Sequence, residues 1–180
     1  MNKQIVVIYE STTGFTKQYA NWIAEELECA VLELRGISAK KLSEYETVIF
    51  GGWFHAGSVK GLKKIKELLR ESTVKQLIVF ATGAIPKEAA ELIENAWKNN
   101  FTLEEMRQIP HFYMQGGLRY EKMTFGDKLM MKMFAAMMKN KKDKTESEKV
   151  MEQALGSSYD NSSRAYIEPL VSYVNTTLCY

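Results

Sequence analysis

The stretch Ile5-Val6-Val7-Ile8-Tyr9-Glu10-Ser11-Thr12-Thr13-Gly14-Phe15-Thr16 decides the fold class of this 180-residue chain. Its first five residues form a continuous apolar, β-branched run, which is typical of a strand buried on both faces of a parallel sheet. Hydroxyl-bearing residues and a glycine follow, and apolar residues then recur at helical spacing over 16–27. The sequence therefore predicts a buried strand, a tight loop and a helix.

The same alternation continues to the end of the chain. Further strands are predicted at 30–34, 47–50, 77–81 and 112–114, with Gly51-Gly52 ending the third strand. Further helices are predicted at 61–70, 87–98 and 162–174. Pro86 suits a helix start, and Pro169 predicts a kink or a late start of the last helix. Alternating strands and helices with short links predict an α/β fold with a parallel sheet and helices on both faces.

Length and composition exclude several classes of protein. With 46% hydrophobic and 26% charged residues, the chain has enough apolar mass for one domain, 1–180, and too much for intrinsic disorder. Its net charge of +2 gives no field that argues for nucleic acid. Two cysteines, Cys29 and Cys179, exclude a disulfide scaffold, and two histidines, His55 and His111, leave little for zinc. No bound metal is expected.

No targeting or membrane-spanning segment is predicted. The apolar run near the N-terminus is too short for a secretory signal, and Glu10 follows it. The longest uncharged stretch, 76–86, is far shorter than the roughly 18 residues of a spanning helix. We therefore expect a cytoplasmic protein.

Loop 11–16 has the chemistry of a phosphate site. In a parallel α/β sheet, ligands bind at the carboxyl ends of the strands. The loop places hydroxyls and backbone N–H groups at a helix N-terminus, whose dipole favours an anion. It holds no lysine or arginine, which suits a phosphate bound by neutral donors. A plain helix cap is the alternative.

Three other kinds of phosphate-handling site are excluded by missing residues. The chain has no G-x-G-x-x-G fingerprint of dinucleotide-binding proteins. The segment 52–58 has the glycine spacing of a triphosphate loop but lacks its lysine. Gly51 stands where a receiver domain needs an acidic residue.

The residues of loop 11–16 resemble the T-x-T-G-x-T phosphate loop of flavodoxins, which holds the phosphate of FMN. The likeness extends through the third and fourth strand ends to the C-terminus. It implies a three-layer α/β/α flavodoxin-like fold with a five-stranded parallel sheet in the order 2-1-3-4-5, and FMN as the cofactor.

A second element resembles a narrower group, the menaquinone-dependent protoporphyrinogen oxidase branch of flavodoxin-like proteins. That branch has a G-[AG]-L-R-Y element and then a basic, methionine-containing helical insert. This chain has Gly116-Gly117-Leu118-Arg119-Tyr120 and then Phe125-Gly126-Asp127-Lys128-Leu129-Met130-Met131-Lys132-Met133. The resemblance implies a helical insert after strand 5, at about 117–158, and an FMN-dependent oxidoreductase with a quinone as electron acceptor.

Two other functions remain open. The first is an electron carrier of flavodoxin type without its own substrate, although such carriers are usually acidic near the flavin and this chain is not. The second is a flavin-dependent quinone or nitro-compound reductase that uses a nicotinamide cofactor, for which the chain has no dinucleotide fingerprint.

The resemblance also implies the residues of the cofactor site. The phosphate loop comprises Ser11, Thr12, Thr13, Gly14, Phe15 and Thr16. The flavin ring is expected to meet Gly51, Gly52, Trp53, Phe54, His55, Ala56, Gly57, Thr82, Gly83, Ala84, Ile85, Gly116 and Gly117. Trp53 and Phe54 can stack on the ring or cap the sheet, and Gly52 can let a peptide rotate toward the flavin N5.

Two residues are candidates for catalysis. His55 can donate a proton or modulate the flavin, or be an ordinary surface histidine. Arg119 can anchor a carboxylated substrate, or form an ion pair at a strand end. The oxidase branch tends to carry an arginine and a tyrosine where residues 53–56 read Trp-Phe-His-Ala, and segment 145–158 has no counterpart in it.

The predicted insert concentrates methionine and positive charge. Six of the ten methionines lie between Met123 and Met138, and residues 117–144 hold eight basic and three acidic side chains, a charge of +5. A basic, methionine-rich amphipathic helix can lie on an anionic membrane or grip an apolar partner. We expect a peripheral contact through 125–144 with the inner face of the membrane; packing on the core is the alternative.

Overall fold

Five long strands form the central sheet in the described part of the chain. A computed structural model describes residues 2–146, 148–149, 152, 155 and 157–178. The strands are β1 Asn2–Tyr9, β2 Cys29–Glu33, β3 Thr47–His55, β5 Gln76–Gly83 and β6 His111–Gln115, with a short β4, Ser58–Val59, antiparallel to the end of β3. The long strands are parallel and lie in the order β2-β1-β3-β5-β6. This confirms the order 2-1-3-4-5.

Helices cover both faces of the sheet. They are α1 Phe15–Glu26, α2 Ala39–Leu42, α3 Leu62–Arg70, α4 Ala90–Lys98, α5 Leu103–Gln108, α6 Phe125–Asn140 and α7 Glu168–Leu178. On one face, Tyr19 of α1 and Leu170 of α7 are fully buried in a single apolar cluster. On the other, Ile65 of α3 and Trp97 of α4 are buried in a second cluster. The three-layer α/β/α architecture is therefore confirmed.

The chain between β6 and α7 adds a helical insert to these layers. A two-stranded ribbon, β7 Gly117–Leu118 with β8 Tyr159–Asp160, forms its base. Leu118, Met138 of α6 and Leu155 are buried together in a third apolar cluster. Residues 147, 150–151, 153–154 and 156 of the predicted insert, and Cys179, lie outside the described residues.

The prediction that Gly51-Gly52 ends the third strand is wrong. β3 continues to His55, and Gly51 and Gly52 pair in register with Phe80 and Ala81 of β5. A Cβ atom at Gly51 would lie 2.1 Å from the Phe80 ring. Glycine is therefore needed here for close packing and not for a turn. The sequence pattern alone does not distinguish these two roles.

The number and the boundaries of the helices differ from the predicted ones at several places. α4 begins at Ala90 rather than directly after Pro86. α5 was not predicted; it has six residues and begins with a capping box between Thr102 and Glu105, a local signal that the apolar pattern does not reveal. α7 begins at Glu168, directly before Pro169, which confirms the late start.

Candidate functional site

A cavity of about 190 Å³ lies at the carboxyl ends of the strands, beneath the insert. Twelve of the residues predicted to bind the cofactor line it: Thr12, Thr13, Phe15, Trp53, Phe54, His55, Ala56, Thr82, Gly83, Ala84, Ile85 and Gly117. The structure therefore brings together the phosphate loop, the two loops expected to meet the flavin ring (the first ring loop, 51–57, and the second ring loop, 82–85) and the element after strand 5. The other seven, Ser11, Gly14, Thr16, Gly51, Gly52, Gly57 and Gly116, are not among its lining residues.

Several of those seven residues stabilise the loops without lining the cavity. The Gly14 N–H donates to Ser11 Oγ at 3.2 Å. The hydroxyls of Thr16 and Thr82 lie 2.9 Å apart, and the Thr16 hydroxyl also donates to the Gly52 carbonyl at 3.4 Å. Since Thr16 and Thr82 are both buried, these bonds tie the start of α1 to the ends of β3 and β5.

No side chain caps the start of α1. Its N-cap is Gly14, whose φ of 97° is a left-handed conformation that glycine adopts without strain, and no side chain caps the helix there. The first amides of a helix have no acceptor within it, so at an uncapped end they are offered to a solute. The plain helix cap that Ser and Thr side chains would form is therefore not what the loop builds.

Arg119 brings positive charge to a loop that has no basic residue of its own. Its Nη1 donates to the Thr13 carbonyl at 2.9 Å, its Nη2 pairs with Asp160 Oδ2 at 2.7 Å, and its guanidinium lies 4.0 Å from the Phe15 ring centre. The ion pair considered from the sequence is thus present. Because the same guanidinium holds Thr13, Arg119 also fixes the loop against the β7–β8 ribbon.

Two half-buried phenols position the second ring loop. Tyr113 of β6 donates to the Ile85 carbonyl at 2.7 Å, and Tyr159 of β8 donates to the Ala84 carbonyl at 3.2 Å. Burial raises the pKa of both phenols, so each stays protonated and keeps its donor at ordinary pH.

The aromatic residues of the first ring loop have different neighbours. Phe54 packs edge-on against Trp97 at 5.1 Å and nearly parallel to Tyr113 at 5.9 Å, so it also caps the sheet. Trp53 is half-buried in the cavity wall. Phe54 packs in the second apolar cluster, whereas Trp53 is not part of it. Of the two rings predicted to stack on a flavin, Trp53 is therefore the one not already packed there.

His55 forms the polar contact between the first ring loop and the insert. Its Nε2 lies 2.8 Å from Asp127 Oδ1 in the first turn of α6, and both side chains are about one-quarter exposed. The hydrogen bond from His55 is the main cause of a lowered pKa at Asp127, and a second bond from Thr124 adds to it. The Asp127 carboxylate is therefore charged at neutral pH.

The insert supplies the part of the cavity that sequence reasoning missed. Its lining residues are Leu118, Met123, Asp127, Met130, Met131, Phe134 and Leu155. Three of them, Asp127, Met130 and Phe134, share one face of α6 at spacings of three and four residues, which is the signal that could have identified an inward face. The opposite side of α6 exposes Leu129, Met133 and Met137.

Two further findings concern metals and membranes. Among the described residues, no group of three or more His, Cys, Asp or Glu side chains is placed to hold a metal ion. No helix in the same part of the chain combines the length and apolarity needed to span a bilayer.

The chain is similar to several solved structures at low sequence identity. The Trp repressor binding protein from Bacillus subtilis is 16% identical, with a TM-score of 0.44 over 78% of this chain and 99% of that one. A flavodoxin from the domain Archaea is 17% identical, with a TM-score of 0.40 over 84% and 95%. A WrbA-like flavodoxin from Agrobacterium tumefaciens is 18% identical, with a TM-score of 0.39 over 83% and 98%.

The family comparison is more direct. No curated protein matches the chain. A model of the flavodoxin domain matches residues 6–147, which include the second half of β1, loop 11–16, the other four long strands and α6. This protein therefore belongs to the flavodoxin family, whose cofactor is FMN.

Proposed function

We propose that this protein is an FMN-dependent oxidoreductase of the protoporphyrinogen oxidase type, which passes electrons to a quinone. The observation that supports this choice is the position of the Gly-Gly-Leu-Arg-Tyr element and of α6. Both lie at the cofactor cavity and supply part of its wall. A carrier that only exchanges electrons with partner proteins needs an accessible flavin edge, whereas a covered cavity suits a substrate bound next to the cofactor.

The residues of the site fit FMN. The uncapped start of α1, the hydroxyls of Thr12 and Thr13 and the charge of Arg119 would hold the phosphate. Trp53 and the backbone of the second ring loop would hold the ring. Bound there, FMN would accept two electrons from the donor, and its reduced form would pass on two electrons with one proton.

The size of the cavity implies that side chains of α6 shift during binding. Its volume of about 190 Å³ is below the ~300 Å³ at the lower end of small-molecule sites. Insertion of a flavin ring or a porphyrinogen beside Trp53 therefore requires the side chains of Met130, Met131 and Phe134 to shift outward. Met side chains are flexible and apolar, so they can follow ligands of different shape.

The activity assay separates this proposal from the electron carrier. Purified protein, loaded with FMN, is mixed without oxygen with protoporphyrinogen IX and menadione, and porphyrin fluorescence is followed. We expect porphyrin to form in amounts well above one per protein, and only when menadione is present. Protein that binds FMN but forms no porphyrin would support the carrier. Oxidation of a nicotinamide cofactor instead would support the third function.

Arg119 is expected to contribute to phosphate binding. In Arg119→Met, the dissociation constant for FMN should rise about tenfold, because one positive charge near the phosphate is worth roughly 1–2 kcal/mol at partial exposure. Riboflavin, which lacks the phosphate, should bind both proteins equally. Arg119→Lys keeps the charge but not the bidentate guanidinium, so its dissociation constant for FMN should lie between those of wild type and Arg119→Met. Equal losses for FMN and riboflavin would assign Arg119 a purely structural role.

We also propose that α6 contacts anionic membranes. Phe125 is 85% exposed and Met133 67% exposed, and Leu129 and Met137 continue the same stripe. Lysines at 122, 128, 132 and 139 flank it, and each contributes roughly 1 kcal/mol near an anionic surface. We expect co-sedimentation with phosphatidylglycerol vesicles at low salt, and its loss in Leu129→Glu/Met133→Glu. Equal binding to phosphatidylcholine vesicles, or none to either, would contradict this contact.

A further inference from the structure

We propose that His55 is the residue that transfers a proton to the bound electron acceptor, and that Asp127 positions it. This inference rests on the proposed function, because it concerns the reduction of a quinone at the same cavity. It adds to that function a residue pair whose members lie 72 positions apart in the chain.

Geometry holds the pair in place from both sides. His55 Nε2 lies 2.8 Å from Asp127 Oδ1, which leaves the other ring nitrogen, Nδ1, for a ligand. Asp127 Oδ2 accepts from the Thr124 hydroxyl at 2.8 Å, and the Asp127 N–H donates to the same hydroxyl oxygen at 3.2 Å. A carboxylate fixed in this way orients the imidazole ring and selects one of its tautomers.

The composition of the cavity wall singles out this pair. Of the described residues that line the cavity, only His55 and Asp127 have side chains that titrate. The remaining wall consists of glycine, alanine, threonine and apolar side chains. A proton delivered inside this cavity therefore has to come from the His55–Asp127 pair or from water.

The proton balance defines the task of His55. Reduction of a quinone to a hydroquinone consumes two electrons and two protons. Beyond the two electrons and the proton that come with FMN, one more proton is needed at a quinone oxygen. His55 gives it from Nδ1: the N–H bond breaks, an O–H bond forms, and the imidazolium becomes neutral imidazole. Solvent water then restores the proton to the ring.

Two acceptors in the oxidative half-reaction separate proton transfer from electron transfer. FMN-loaded protein is photoreduced without oxygen and mixed in a stopped-flow instrument with menadione or with ferricyanide, which takes an electron and no proton. We expect His55→Gln to react with menadione about 10²-fold more slowly, the usual contribution of a general acid. Its reaction with ferricyanide should stay within about twofold of wild type. In Asp127→Asn the rate with menadione should fall by less, and the rate with ferricyanide should not change. Asp143→Asn, an exposed substitution in the same insert, should change neither rate.

One more readout tests the role itself rather than the fold. Added imidazole should restore part of the rate in His55→Ala. Wild-type rates with menadione in His55→Gln, or equal slowing with both acceptors, would overturn the inference. Wild-type protein that reduces ferricyanide but not menadione would overturn the proposed function as well.

Discussion

Replacement of Thr12 by aspartate is expected to raise the dissociation constant for FMN by about three orders of magnitude. Thr12 lines the cavity on the phosphate loop, where the start of α1 and the Arg119 guanidinium favour an anion. Two like charges about 4 Å apart repel by ~4 kcal/mol at the effective dielectric constant of a protein surface, and each 1.4 kcal/mol is about tenfold in affinity. The measurement is quenching of flavin fluorescence on titration of the apoprotein.

Two matched controls accompany Thr12→Asp. One is a variant of the same side-chain size without the charge, and the other is a ligand without the phosphate. Thr12→Asn has nearly the same shape without the charge, and it should weaken FMN binding by less than about tenfold. Riboflavin should bind Thr12→Asp as it binds wild type. Since the Thr12 side chain is exposed, the melting temperature should not change. A similar FMN affinity in Thr12→Asp and Thr12→Asn would place the phosphate elsewhere.

The second large effect is expected from Gly117→Ala in the ribbon beneath the insert. A Cβ atom at Gly117 would lie 2.1 Å from the Tyr159 carbonyl oxygen and 2.9 Å from its carbonyl carbon. Both are backbone atoms of the partner strand β8, so the ribbon has to separate for the methyl group to fit. We expect the free energy of unfolding to fall by about 3 kcal/mol and the melting temperature by roughly 6–12 °C.

Gly126→Ala is the matched control for this change. The nearest atom to a Cβ at Gly126, the Thr124 hydroxyl oxygen, is 4.0 Å away, and the residue lies in the first turn of α6. Alanine should therefore leave stability unchanged or raise it by up to ~1 kcal/mol. Trypsin should cut α6 at Lys128 and Lys132 faster in Gly117→Ala, because α6 rests on this ribbon. Equal melting temperatures in the two variants would show that the ribbon tolerates a methyl group.

The sheet and its cofactor loops could be predicted because their signals are local. The apolar run 5–9, the hydroxyl-rich loop 11–16 and the helical spacing after it each lie within a few residues. Strand order followed from the resemblance to flavodoxins, and the observed pairing confirms it. α5 was missed because its signal is a hydrogen-bonded cap rather than an apolar face.

The position of α6 over the cavity could not be predicted, because it depends on contacts between residues far apart in the sequence. Pattern alone shows that α6 is apolar on more than one side, but not that Met130 and Phe134 face the cavity while Met133 faces outward. One side of α6 therefore packs on the fold, as one of the two alternatives expected, and the membrane contact through 125–144 stays a prediction. The contact between His55 and Asp127 likewise follows from the three-dimensional fold alone.

A parallel titration with FMN and riboflavin tests the central claim most directly. The apoprotein is titrated with each flavin, and the change in flavin fluorescence gives stoichiometry and affinity. We predict one FMN per chain, bound at least about 100-fold more tightly than riboflavin, because the phosphate lies at the start of α1 and beside Arg119. No spectral change with FMN, or equal affinity for the two flavins, would contradict the account.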